Sequence, residues 1–217
     1  MSESQIGLFD AIYTQRAIRS YKPDPVPHEL ITKVIEAATK APSGANTQPW
    51  AFVVIDDRAK LDKMTEWAKD GFFNGMYKAA LARMQPGDPP PMENLKKMIE
   101  VFERIPCIVV VCQVRPEGQA HGTGNYSSIF PAVQNLLLAA RGLGLGALLS
   151  SGWAQKHLPE IVEMLGLPAN VEPVCFIPLG YPDKQRYGKT TRRPVEEVTH
   201  WNGWEGDKGN SAQAAHR

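Results

Sequence analysis

Ala41-Pro42-Ser43-Gly44-Ala45-Asn46-Thr47-Gln48-Pro49-Trp50 separates a helix-patterned segment from the apolar run Trp50 to Ile55. Upstream, Leu30, Val34, Ile35 and Ala38 recur at helical spacing after Pro27, with Lys33, Glu36 and Lys40 on the other side. The helix must stop near Pro42. Downstream, a near-continuous apolar run ended by Asp56-Asp57 predicts a strand covered on both faces. Between them, Gly44 can take φ angles closed to other residues, Ser43, Asn46, Thr47 and Gln48 offer polar side chains, and Pro42 and Pro49 stiffen the ends. That composition suits a backbone that approaches a ligand closely, and it also suits a plain connector.

The same signals repeat along the chain. A short helix is expected over Leu8 to Gln15, a longer one over Arg58 to Lys69, and another over Met92 to Arg104 with Leu95, Ile99 and Phe102 inward. From Asp70 to Pro91, Gly71, Gly75, Gly87 and Asp88-Pro89-Pro90-Pro91 predict irregular backbone, a lid or a disordered stretch. Pro106 to Val114, Leu145 to Ser150 and Val171 to Tyr181 read as strands. Tyr126 to Gly142 is apolar on nearly all sides and so reads as a buried central helix. Gln155 to Leu165 is a helix closed by Gly166. Strands alternating with helices indicate an α/β layered protein, but no G-x-G-x-x-G follows the first strand. Gly142-Leu143-Gly144-Leu145-Gly146 follows a helix and precedes a strand, the reverse of a dinucleotide fingerprint, and fits close helix-to-strand packing.

Composition narrows the function classes. Among 217 residues, 43% hydrophobic and 22% charged is ordinary for a globular protein of one domain. Lys and Arg number 24 against 23 Asp and Glu, so no field of one sign draws the chain to nucleic acid or anionic lipid. Gln134, Asn135 and Arg141 interrupt the longest apolar stretch, which argues against a membrane span. Cys107, Cys112 and Cys175 lie in strand-like runs and read as core, and their odd number without a recognisable leader favours a reducing, cytoplasmic setting. The five histidines, His28, His121, His157, His200 and His216, are scattered, so no metal site is expected, and no G-x-S-x-G is present.

Several residues carry possible chemistry. Arg16 and Arg19, three apart at a helix end, can converge on one anion through bidentate contacts, or can be a solvated face. Ser150-Ser151-Gly152 offers backbone donors after a strand, or an N-cap for the next helix. Toward the C-terminus, Lys184, Arg186, Lys189, Arg192 and Arg193 precede Val195, Val198, Trp201 and Trp204, apolar surface on a segment too polar to build its own core. Such an arm packs on a partner or folds back on its own domain.

R-A-I-R-S-Y at 16–21, P-D-P-V-P at 23–27 and the decapeptide at 41–50, in this order and spacing, resemble the N-terminal half of the nitroreductase family, the FMN-dependent oxidoreductases. The resemblance covers about Ala11 to Trp204. It implies an α+β (α/β layered) fold with a central mixed, mostly antiparallel sheet flanked by helices, in a homodimer with an exchanged C-terminal arm. One FMN-binding domain would span 1–204, with a lid or insert at about 68–104 and a flexible tail at 205–217. The family usually reads R-R-S-x-R where this chain has Gln15, Arg16, Ala17, Ile18 and Arg19, so one charge and one hydroxyl contact are missing. By resemblance, Arg16, Ala17 and Arg19 with Lys189, Arg192 and Arg193 bind FMN, Arg19 standing near the flavin N1 and C2 carbonyl. Ser150, Ser151 and Gly152 would face N5 and O4, and Pro42, Ser43, Gly44, Ala45, Asn46 and Gln48 would contact the flavin held mainly by the other subunit.

The flavin N5 carries the chemistry, so no side chain is assigned an acid or base role; the backbone of Ser151 and Gly152 supports it. NADH or NADPH would donate hydride, leave, and be replaced by a nitroaromatic or quinone acceptor in a ping-pong cycle. Phe72, Phe73 and Tyr77, with Trp67 and Met76 nearby, would form an aromatic lid over the substrate, and Tyr126 would line the same pocket. Taken singly, each of these rings fits core packing better than a lid. The alternatives are a related flavin enzyme that dehalogenates or fragments flavin, a flavin-binding protein without turnover, and an interaction module without cofactor.

Overall fold

Four strands form one sheet in the order β1-β2-β4-β3: Trp50–Ile55 (β1), Cys107–Val114 (β2), Gly146–Ala147 (β3) and Val171–Gly180 (β4). The computed structural model describes residues 6–116, 126–183 and 187–204, and every strand pairing among them is antiparallel. Trp50 opposes Gln113 and Ile55 opposes Ile108, while Cys107 opposes Leu179 and Val114 opposes Val171, with a register slip between Val111 and Cys112. The unbroken apolar run of β2 follows from burial on both sides. Ile108, Val110 and Cys112 point into one core, and Cys107, Val109 and Val111 into another.

Helices cover both faces, as the α+β expectation requires. His28–Ala38 (α2) and Ile129–Gly142 (α6) pack together on the side of Val109, burying Ile31, Val34, Val133 and Leu136. Arg58–Gly71 (α3) and Glu93–Glu100 (α5), with Ile161 of Leu158–Leu165 (α7), enclose the other core. Asp57 caps α3 by accepting the Lys60 N–H at 2.9 Å, and Gly166, at φ 61°, closes α7. Leu8–Thr14 (α1) stands outside, burying only Ala11.

Three expectations are corrected. Asp70 to Pro91 is not irregular throughout: α3 runs on as a π-helix over Phe72–Tyr77 and a short helix, Lys78–Leu81 (α4). Gly71 is there because the Trp153 carbonyl packs where its Cβ would be, so it marks close contact and not a break. The strand expected over Leu145 to Ser150 shrinks to β3 and an isolated bridge between Ser150 and Phe176. The helix expected over Met92 to Arg104 ends at Glu100 and resumes as a 3-10 turn over Phe102–Arg104.

Of the glycine run only Gly146 is closely packed: a Cβ there would stand 2.6 Å from the side chain of Ile18, which belongs to the irregular 15–20 segment and not to a helix, while Gly142 and Gly144 meet open space. The three cysteines are free and buried, and burial pushes each thiol up to about 12. Among the described residues no helix is long and apolar enough to cross a membrane. The flexible tail expected beyond Trp204, together with His121, His216, Lys184 and Arg186, lies outside the described residues.

Candidate active site

The two arginines converge for a reason the sequence did not give. α1 ends at Thr14, and residues 15–20 form no helix, so Arg16 and Arg19 share no helix face. Ile18 is fully buried, its N–H donating to the Ala147 carbonyl at 3.2 Å, and Tyr21 is buried three residues on. The Tyr21 hydroxyl lies 2.6 Å from the Ile18 carbonyl oxygen and 3.2 Å from that of Pro178, and burial pushes its phenol well above the usual range. With Ile18 and Tyr21 pinned to the sheet, Arg16 stays exposed and Arg19 half-buried.

Two cavities share these arginines. One, of about 390 Å³, is lined by Gln15, Arg16, Ala17, Arg19, Leu137, Leu148, Leu149, Thr190 and Arg192. The other, of about 550 Å³, is lined by Arg16, Arg19, Ser20, Asn94, Lys97, Met98, Glu100, Val101 and Arg104. Both volumes are those of ligand pockets. The Gly188 N–H donates to the Thr14 carbonyl at 3.3 Å, which draws the C-terminal segment alongside Arg16. Arg192 thereby joins the first cavity, whereas Lys189 and Arg193 are exposed and line neither.

Asn94, Lys97 and Arg104 were missed from sequence. Asn94 and Lys97 are three apart on α5 and so share a face, but N-x-x-K there has the look of a solvated helix surface. Lys97 pairs with Glu93 at 2.7 Å and Arg104 with Asp183 at 3.3 Å. Only the cavity wall gives them away.

The loop singled out first has an unusual backbone. Ala45, Asn46 and Gln48 have φ of 48°, 55° and 48°, while Gly44, the residue expected to supply that freedom, does not. Three non-glycine residues in the left-handed region within four positions store strain of a kind found at ligand-facing sites. The turn holds itself: Ser43 Oγ accepts the Gln48 N–H at 3.0 Å, and the Gly44 carbonyl accepts the Thr47 N–H at 3.0 Å. Its tip is exposed, and Pro42, Ser43, Gly44, Ala45, Asn46 and Gln48 line neither cavity within one chain.

Ser150 spends both backbone groups on Phe176, its N–H donating at 3.0 Å and its carbonyl accepting at 2.7 Å. Ser151 makes no side-chain cap for the 3-10 turn Gly152–His157. Gly152 leaves room for Met76, whose thioether stands 2.9 Å from where a Cβ would be. The aromatic lid is corrected in part. Phe72 is fully buried, stacked on Tyr77 at 5.4 Å and edge-on to Phe73 at 5.1 Å, while Phe73 and Tyr77 are half-buried against the same core. Tyr126 is half-buried too, and its hydroxyl donates to Glu172 at 2.8 Å, which raises its pKa.

The donor set around the cavities is chemically specific. Guanidinium groups of Arg16, Arg19 and Arg192 suit a phosphate or an electron-rich heteroaromatic edge, and Leu137, Leu148 and Leu149 suit an apolar ring. A ligand anionic at one end and flat at the other fits these residues.

Comparison with known proteins agrees. The nitroreductase family model matches residues 12–181. A Methanothermobacter thermautotrophicus protein provisionally named NADH dehydrogenase/NAD(P)H nitroreductase is 33% identical over 82% of this chain and 79% of its own. The 5,6-dimethylbenzimidazole synthase of Rhodospirillum rubrum is 29% identical over 85% and 90%. A Desulfovibrio desulfuricans structure, provisionally a nitroreductase and in complex with FMN, superimposes with a TM-score of 0.64 at 25% identity, covering 92% of this chain and 99% of that one. The chain belongs to the nitroreductase family of FMN-dependent oxidoreductases.

Proposed function

We propose that this protein uses FMN to pass hydride from NADH or NADPH to nitroaromatic or quinone-type acceptors, in a homodimer whose C-terminal arms are exchanged. The observation that carries the reading is the pair of cavities sharing Arg16 and Arg19, the first walled by Leu137, Leu148 and Leu149 beside Arg192, the second by Asn94, Lys97 and Arg104 beside Met98 and Val101. Bound FMN supplies reversible hydride uptake at N5. Arg16 and Arg192 would hold the phosphate, which makes up for the family arginine replaced by Gln15. Arg19, Asn94 and Lys97 would present cations and an amide to the flavin edge on which negative charge collects during reduction. Gln15 and Ala17 line the first cavity, beside Arg16 and Arg192, without charge.

The dimer reading draws on exposed apolar surface. Leu8, Phe9 and Tyr13 of α1 and Val195, Trp201 and Trp204 of the arm are open to solvent, Trp204 by 80%. A second chain covering them would also bring its Pro42–Gln48 loop to the flavin.

An anaerobic titration tests the proposal. The purified protein should show a flavin spectrum that NADH or NADPH bleaches, and a nitroaromatic or quinone should restore it. A colourless protein, or bound flavin that neither nucleotide reduces, defeats the reading. The similarity to 5,6-dimethylbenzimidazole synthase favours a second reaction, flavin fragmentation. Formation of that product when reduced flavin and the protein meet oxygen would select it.

A further inference from the structure

A buried ion pair stands behind the strained loop. Arg115, with a side chain 3% exposed, pairs with Glu172, which is 17% exposed, and the other Glu172 oxygen accepts the Tyr126 hydroxyl at 2.8 Å. Arg115 follows the last residue of β2, and its N–H and carbonyl are bonded to Asn170, at 2.9 Å to the backbone oxygen and 3.1 Å from the side-chain amide. Tyr126 opens the 3-10 turn Tyr126–Ser128, and Ser128 Oγ accepts the Gly44 N–H at 3.3 Å. The exit of the loop is gripped from the same strand end, where the Val114 N–H donates to the Pro49 carbonyl at 2.8 Å.

We infer that Glu172 is a positioning residue for the site: fixed by Arg115, it holds Tyr126, and through Ser128 it holds the Gly44–Gln48 backbone in its ligand-facing shape. Three left-handed non-glycine residues persist only where their surroundings over-determine them. The loop's own hydrogen bonds close the turn, but they do not tie it to the sheet; the Arg115–Glu172–Tyr126 cluster and the Val114 contact do. A charged acceptor suits this task because its hydrogen bonds are shorter and stronger than those between neutral groups. The effect on flavin rests on the reading of this loop as a wall of a flavin site, and the effect on the loop does not.

The test uses Tyr126→Phe, which removes one hydroxyl and keeps the ring, and Ser128→Ala, which removes the last link. Both are compared with the wild type by amide exchange over residues 43–49 and by FMN titration of the apoprotein. The clamp predicts severalfold faster exchange at 43–49, unchanged exchange in β2 and β4, and FMN dissociation constants raised about three- to tenfold, within the range of one ordinary hydrogen bond. Because both residues act through one path, the double variant should be no worse than the worse single. Unaltered exchange at 43–49 overturns the clamp, as do additive effects. Faster exchange with unaltered FMN affinity overturns its role at the site. A wild type that binds no FMN refutes the flavin reading, and the exchange data still decide the clamp. Glu172→Gln is harsher, since Arg115 would be buried beside a neutral group. Where it folds, it must match Tyr126→Phe in exchange, and a lack of effect counts against the proposal.

Discussion

The Pro42–Gln48 loop and the Phe72–Tyr77 segment carry the same surface signals in sequence, glycine with polar or aromatic neighbours, and they end up as opposites. The first is exposed, bent into left-handed backbone by residues that are not glycine, and tied down at its two shoulders. The second is helical and packed, with Phe72 wholly buried and Gly71 pressed on the Trp153 carbonyl. A glycine therefore reports either of two needs, a rare φ or the absence of a Cβ. Which one holds depends on what another element places beside it, and the local sequence does not contain that. The π-helix is the link between the two needs: its wider turn brings Met76 onto Gly152, beside the strand end expected to face the flavin.

The contrast can be broken at its strongest point first. Phe72→Ala should destabilise the protein by about 3–5 kcal/mol in denaturant unfolding, the cost of an emptied aromatic site. A lid residue would cost a small fraction of that. Gly71→Ala should cost about 2–3 kcal/mol, because a backbone carbonyl cannot move aside as a side-chain tip can. Gly75→Ala in the same segment should instead stabilise by roughly 0.5–1 kcal/mol, since open space surrounds its Cβ position. If the two glycines responded alike, the close-contact explanation of Gly71 would fail. In the loop, Ala45→Gly should raise stability by about 1 kcal/mol by removing the left-handed strain, yet weaken FMN binding by freeing the turn.

What sequence could and could not supply follows the same line. β1, β2 and β4 were legible within a residue or so because each is a mostly apolar run. The expected burial on both faces holds only for most of β2 and the second half of β4: β1, at the sheet edge, is half-buried with Val54 exposed. The burial of Cys107, Cys112 and Cys175 followed from that. β3 was overdrawn, since Leu148 and Leu149 are apolar for other reasons: Leu148 packs in the core and, with Leu149, walls a cavity. Arg16, Arg19 and Arg192 were found as cations near one another, though the helix-face argument for the first two was wrong and the pinning of Ile18 and Tyr21 is the cause. Asn94 and Lys97 escaped because half of any amphipathic helix is polar, and only the tertiary fold distinguishes a polar residue facing a cavity from one facing water.

The smallest expected effect concerns how the packed segment is latched. Asp70, one residue before Gly71, accepts hydrogen bonds from the Asn74 amide at 2.7 Å and from Lys156 and His157 at 2.6 Å each, so that α3 is tied to the turn carrying Gly152. These donors, Asn74 foremost, hold the carboxyl well below its usual range of about 3.9. A depressed carboxyl pKa contributes stability that is whole above the unfolded value and is lost as pH falls through the folded one. Asp70→Asn should therefore be less stable than wild type at pH 7, and the gap should close in melts run progressively below about pH 4. The gap itself is modest because the side chain is a third exposed and water screens the pairs. A gap that stayed constant into acid would mean that the variant suffers from altered packing, and the contrast between a latched helix and a strained loop would then rest on Gly71 and Phe72 alone.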